Sequence, residues 1–192
     1  IFRAIAPVAG CMMEEIYNTC DDSPVPVLEI HGTNDYVTLW NGDMQNNDGW
    51  GAYYSIPDGI DLWVETNDCM SNENIILPNT NTGDGSYIIN HRYFDCNENA
   101  EVWLYEVVNG GHDWPGSSGN MDIEASEEIW SFFSQFTFNI GDVNSDGGIN
   151  VLDVVQLVTL ILEGEYASSG DLNEDGSLDV VDIVQLVNII LN

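Results

Sequence analysis

Two stretches of the chain bring oxygen-bearing side chains back at one spacing. Asp142, Asn144, Asp146, Asn150 and Asp153 stand at positions 1, 3, 5, 9 and 12 of the first stretch, with Gly147 at position 6. Asp171, Asn173, Asp175, Asp179 and Asp182 repeat that order 29 residues later, with Gly176 at the sixth place. Gly148 and Ser177 hold position 7, where a main-chain carbonyl can turn inward. A hard divalent cation such as calcium takes six to eight oxygens, and a twelve-residue loop with this spacing supplies them, the glycine allowing its sharp turn. These residues are therefore the expected ligands of two calcium ions. Position 8 is apolar in both copies (Ile149, Leu178), as pairing the loops over a small core requires, and an apolar helix follows each. An acidic solvated turn would account for the carboxylates but not for glycine, hydrophobe and helix recurring in register.

A second constellation is spread more widely. The apolar run 26–30 leads through His31 and Gly32 to Asp35, and the run 102–108 leads through Gly110 and Gly111 to His112. A carboxylate after one strand and an imidazole after another can act as acid and base: the acid fixes the tautomer of the ring, and the ring takes a proton from a nucleophile. Alone, an Asp at a strand end is a turn residue and a His in a glycine-rich loop is a surface residue. It is their order and shared context that point to chemistry. Tyr36, Trp40 and Trp114 lie close by in sequence and are candidates for lining a substrate pocket, although core packing is the commoner role of such rings.

The elements that would position these residues follow from periodicity. Residues 2–9 read as a short buried strand, and 26–31 and 101–108 as two more. A helix is expected near 57–68, with Ile60, Trp63 and Val64 on one face, and another near 122–136, with Ile123, Trp130, Phe133 and Phe136 in a stripe. A β-rich excursion covers 86–94. Strands alternating with helices predict a parallel α/β sheet, and three strands are too few to bury one on both sides, so further strands are expected upstream of Ile1. The texture changes near residue 140, which divides the chain into residues 1–138 and 139–192.

Composition narrows the partners. Two Arg, no Lys and 33 acidic residues leave a net charge of −31, which repels nucleic acid and anionic lipid. No apolar run approaches the roughly 18 residues that a membrane span needs. No signal peptide opens the chain, whose first residue is Ile1, so a mature piece with its front end elsewhere is expected. Four cysteines, without zinc spacing, favour two disulfides in an oxidising, extracellular compartment.

The repeat from Gly141 onward resembles a type I dockerin domain over its whole length, down to Asp153 and Asp182 where a full EF-hand carries Glu. The resemblance implies two calcium ions and docking onto a cohesin or a cell-surface scaffold. Known members often carry hydroxyl residues at loop positions 10 and 11, where this chain has Val151, Leu152, Val180 and Val181. Its helices are apolar nearly all round, and the surplus faces either a partner or the neighbouring domain. A calcium-stiffened cap without a partner is the alternative. Loop 2 has four carboxylates against three in loop 1 and is expected to bind more tightly.

The run from Pro24 to Asp35, taken with Gly110-Gly111-His112-Asp113-Trp114-Pro115-Gly116, resembles the polyhydroxybutyrate depolymerase and feruloyl or acetylxylan esterase group of secreted α/β-hydrolases. The match covers roughly residues 1–136. It implies the C-terminal part of an α/β-hydrolase sheet, incomplete here, followed by the small all-α dockerin module. Asp35 becomes the triad acid and His112 the triad base, acting on an ester of a polyester or polysaccharide. The same resemblance implies a Cys69–Cys96 disulfide, which leaves Cys11 and Cys20 as the second pair. No Gly-x-Ser-x-Gly occurs in the chain. The family places that nucleophile upstream, so the chain alone is expected to be inactive. A prolyl-oligopeptidase-type peptidase and a non-catalytic calcium-dependent scaffold are the competing readings. His31 is expected to be structural, and His91 to lie on the surface of the excursion.

Overall fold

The structure, a computed structural model, describes residues 4–20, 23–49, 51–136 and 140–191. Its first unit, residues 1–136, runs α1 (Glu14–Thr19), β1 (Val27–Gly32), α2 (Ile56–Thr66), β2 (Ser71–Ile76), β3 (Tyr87–Phe94), β4 (Val102–Val108) and α3 (Ala125–Ser134). The second, residues 137–192, holds α4 (Val151–Glu163) and α5 (Val180–Leu191). Among the described residues, no helix is long and apolar enough to cross a membrane.

All six residues of β1 are buried, so the strand needs cover on both faces. Leu28 and Ile30 pack with Tyr105, Val107, Ala125 and Phe132 on the α3 side; Val27 packs with Ile56, Ile60, Val102 and Leu104 on the α2 side. Helix α2 begins where Ser55 accepts the Asp58 amide and Pro57 sits in the first turn, a place that needs no N–H. Its stripe of Ile56, Ile60, Trp63 and Val64 follows the i, i+4, i+7, i+8 rule. Asn67, fully buried, closes the helix end by bonding both to Val25 and to the Ala100 carbonyl. The Cys69–Cys96 disulfide then joins the two ends of the β2–β3 hairpin.

The sheet differs from the parallel one expected. Its order is β1-β4-β3-β2; only β1 and β4 are parallel, and the excursion forms β3, which pairs antiparallel with β4 and with β2, a strand not anticipated from the sequence. A hairpin needs only a short turn, so β2 and β3 could add to the edge of β4 without a crossover. The expected first strand is present only in part. Residues 1–3 lie outside the described residues, and Ile5 and Val8 make isolated parallel bridges to Val27 and Ile30, with Pro7, which has no N–H to give, between them.

Two further expectations fail. Trp130 is 73% exposed and Phe132 takes the buried place at 0%, because the apolar stripe of α3 runs through Ile129, Phe132, Phe133 and Phe136. No bond joins Cys11 to Cys20, which both remain thiols. Helix α1 lies between them. The Cys11 sulfur instead lies 3.9 Å from that of Met13.

In the second unit, Val143, Leu157, Leu160 and Leu186 form the core, joined by Ile149 and Leu178. Helix α4 is capped by Asn150 and Asp153, each accepting a backbone N–H from the other's end of the first turn, and it stops at Gly164 with φ 72°. Val151, Leu152, Val155, Val180, Val181 and Val184 remain largely exposed.

Candidate functional sites

Because β1 and β4 run parallel side by side, the loops that leave them emerge together. Gly32 is opposite Val107 in register, and a side chain at Gly32 would run into the carbonyls of Gly110 and Gly111. The loops are then joined by Thr33 N–H to the Val107 carbonyl (3.0 Å), Asn34 N–H to the Gly110 carbonyl (2.9 Å) and Asn109 N–H to the Thr33 hydroxyl (2.8 Å). Asp35 turns inward to 4% exposure, and its Oδ1 accepts the amides of Val37 (2.7 Å) and Thr38 (2.9 Å). Its Oδ2 lies 2.9 Å from His112 Nδ1. The His112 side chain is 39% exposed while that of Asp35 is 0% exposed, so the ring is oriented from behind and open to solvent in front.

Behind Asp35 lies a group that spacing alone did not single out. His31 Nε2 is 2.8 Å from the Thr38 carbonyl and 3.5 Å from Asp35 Oδ2. A carbonyl can only accept, so Nε2 carries a hydrogen. His31 Nδ1 then meets Glu29 Oε1 at 3.1 Å across one shared proton. Burial pushes the Glu29 carboxyl up to about 7, against the opposing pull of its bond to His31. Burial opposes charge on His31 as well, but the Glu29 hydrogen bond and charge, the Thr38 carbonyl and Asp35 outweigh it, so that its pKa is raised. Glu29 also lines a cavity of about 290 Å³ with Ile5, Cys11, Ile56 and Trp63. Two polar side chains on one face of a wholly buried strand were the available signal: Glu29 and His31 alternate with Leu28 and Ile30.

The three aromatic candidates separate. Trp40 has its ring 6.1 Å from that of His31 and lines a cavity of about 170 Å³ with His91, Tyr93 and Glu106. Tyr36 is 80% exposed, and Trp114 lies at the surface with its indole N–H on the Ser126 hydroxyl. His91 is partly exposed on the excursion: its side chain is 20% exposed, Nδ1 lies 3.0 Å from Asn74 Oδ1, and Nε2 lies 2.7 Å from Glu106 Oε2. Strand β3 places it beside β4 rather than on a free loop.

In the second unit the two loops repeat the same carboxylate-to-amide bonds. Asp142 accepts the amides of Asp146 (3.1 Å) and Gly147 (2.9 Å); Asp171 accepts those of Asp175 (3.2 Å) and Gly176 (2.9 Å). Gly147 and Gly176 take φ 88° and 84°, which explains glycine at position 6. Asp153 accepts Val143 (2.8 Å) and Asn150 (2.8 Å), and Asp182 accepts Leu172 (2.9 Å) and Asp179 (2.9 Å). Asn144 and Asn173 receive the position-5 amides, while Asp146 and Asp175 receive those of Gly148 and Ser177. Burial alone would raise Asp153, but the amides of Asn150, Asn144 and Val143 more than offset it and hold the carboxyl below its ordinary value.

Four aspartates, Asp142, Asp153, Asp171 and Asp182, are thus buried in a module that contains no Lys, Arg or His. Amides satisfy their hydrogen bonding but bring no net positive charge. A divalent cation would, and a donor set made of oxygen alone suits calcium rather than zinc or copper. No three of His, Cys, Asp and Glu among the described residues are gathered tightly enough to form a metal cluster by themselves. The expected ligand sets draw also on Asn144, Asn150, Asn173 and the carbonyls of Gly148 and Ser177. Residues 140–191 match the dockerin type I domain, a family whose members bind calcium and dock onto cohesins. No curated protein matches the chain.

Proposed function

We propose that the chain joins calcium-dependent docking to ester hydrolysis, the first through residues 140–191 and the second through Asp35 and His112 as acid and base of a secreted serine esterase. The observation that carries the catalytic half is the 2.9 Å contact between buried Asp35 Oδ2 and His112 Nδ1. Asp35 holds the hydrogen of the neutral ring on Nδ1, leaving Nε2 to take the proton of a serine supplied by an upstream Gly-x-Ser-x-Gly turn. The serine is acylated, His112 returns the proton to the leaving alcohol, and water then releases the acid by the same route.

In the docking half, bound calcium supplies charge neutralisation and the shape of the loops. Asp142, Asn144, Asp146, the Gly148 carbonyl, Asn150 and Asp153 hold one ion, and Asp171, Asn173, Asp175, the Ser177 carbonyl, Asp179 and Asp182 a second. The exposed Val151, Leu152, Val180 and Val181 stand at the loop positions where dockerins meet a cohesin.

The test uses the protein with its upstream serine and a panel of acetyl, feruloyl and hydroxybutyrate esters. Asp35→Asn is expected to lower kcat about 10⁴-fold, as the same change does in other triads, and His112→Ala at least as much. Turnover indifferent to both substitutions, or none with the serine in place, would remove the catalytic half and leave calcium-dependent docking.

A further inference from the structure

We propose that Thr38 is a positioning residue for His112, holding its ring in the Nδ1–H form together with Asp35. The inference rests on the reading of Asp35 and His112 as acid and base, which it deepens. The Thr38 hydroxyl owns one hydrogen, and that hydrogen goes to the Ala9 carbonyl at 2.7 Å. What the oxygen turns toward His112 Nδ1, 3.1 Å away, is therefore a lone pair. Asp35 Oδ2 faces the same nitrogen at 2.9 Å. Two acceptors on one ring nitrogen require that nitrogen to carry the hydrogen, and the basic lone pair is left on Nε2. A carboxylate alone can be met by either ring nitrogen after a flip of the imidazole. A second acceptor of fixed direction makes that flip cost a further hydrogen bond.

The direction of the hydroxyl is itself fixed. Thr38 is 4% exposed, its amide donates to Asp35 Oδ1 (2.9 Å) and its carbonyl accepts from His31 Nε2 (2.8 Å). His31 is held in turn by Glu29 (3.1 Å). The Glu29–His31 pair thus clamps the backbone of Thr38 from the sheet side while Ala9 holds its hydroxyl. Loss of the hydroxyl leaves this backbone clamp intact, which separates positioning from folding.

The experiment is nitrogen NMR of the full chain with ¹⁵N-histidine, His112 being assigned by the signals lost in His112→Gln. Neutral His112 is expected as mostly Nδ1–H. Thr38→Val and the smaller Thr38→Ala should each lower the ratio of Nδ1–H to Nε2–H about five-fold, the worth of one ordinary hydrogen bond, and Thr38→Ser should restore it. Overturning results are a wild-type ring in the Nε2–H form, an unchanged ratio in both variants that lack the hydroxyl, or a Ser variant that shifts as far as they do. The readout needs no ester. An esterase sensitive to Asp35→Asn with an unmoved tautomer sinks the role of Thr38 alone; a tautomer that moves in a protein without ester turnover sinks the esterase reading alone.

Discussion

Asp35 and Asp153 are both buried carboxylates that accept backbone amides, and they differ in what completes their surroundings. Asp35 takes its last partner from His112, 77 residues along the chain, brought to it by the parallel pairing of β1 and β4. Asp153 takes the amides of Val143, Asn144 and Asn150, all within ten residues, and the positive charge it needs comes from none of them. One unit therefore holds its acid with a distant side chain, and the other holds its acids for an ion. The staples differ in the same sense. A disulfide closes the hairpin of the sheet unit, while the small core of the second unit contains no cysteine. A module of this size has little apolar area to bury, and metal binding adds directly to its folding free energy.

The widest test of that contrast is to remove each staple separately. At free calcium a thousandfold above Kd, each ion adds about 4 kcal/mol to the second unit. The disulfide spans 27 residues, a loop whose closure removes about 3.5 kcal/mol of unfolded-chain entropy. Calorimetry should give two transitions, the one of the helical module falling with EDTA and the one of the sheet unit falling with a reductant. A single transition lowered by both agents would break the contrast, and one indifferent to EDTA would remove calcium from the second unit.

Legibility in the sequence follows the same divide. The two loops were readable as a repeat because a twelve-residue motif carries its own geometry, and the structure gives both copies the same carboxylate-to-amide bonds and a left-handed glycine at position 6. Asp35 and His112 were readable only as two ends of a contact that the sheet had to bring together. Glu29 and Thr38 were missed because their roles exist only once Ala9, His31 and His112 converge from separate segments. The mixed sheet was misread as parallel because the 86–94 run carries no mark of the strand it joins. The stripe of α3 was shifted by its tryptophan: size drew Trp130 toward the core, whereas helical phase gave that place to Phe132. The Cys11–Cys20 pairing rested on elimination alone, with no local signal behind it, and the structure forms no such bridge.

A smaller effect sharpens the contrast through pH. Glu29 is raised from 4.5 to about 7 on folding, and His31 is raised above 6.5. Groups that gain protons on folding stabilise fully below their unfolded values and lose that contribution as pH rises through the folded ones. The sheet unit should therefore weaken from pH 5 to pH 8, by up to about 1.4 kcal/mol per pH unit for each proton released. Glu29→Gln should flatten the slope, because a glutamine N–H can replace the shared proton on His31 Nδ1 without titrating. Urea unfolding at a series of pH values, read by tryptophan fluorescence, measures this. An unaltered slope in Glu29→Gln would place the titration elsewhere.

The smallest expected difference lies inside the second unit, between two loops that repeat the same carboxylate-to-amide bonds. Loop 2 has Asp179 where loop 1 has Asn150, and one more carboxylate facing a divalent ion favours it by on the order of tenfold in Kd once repulsion among the acids is set against it. A second feature works the other way: the Tyr166 hydroxyl donates to Asp171 Oδ2 at 2.9 Å, occupying an oxygen that the ion needs. Calcium titration by calorimetry should resolve two sites, with Asp182→Ala removing the tighter one and Asp153→Ala the weaker. Asp179→Asn should bring the two together, and Tyr166→Phe should widen the gap. If Asp153→Ala removes the tighter site instead, carboxylate count does not rank the loops, and the Tyr166 bond outweighs the extra charge.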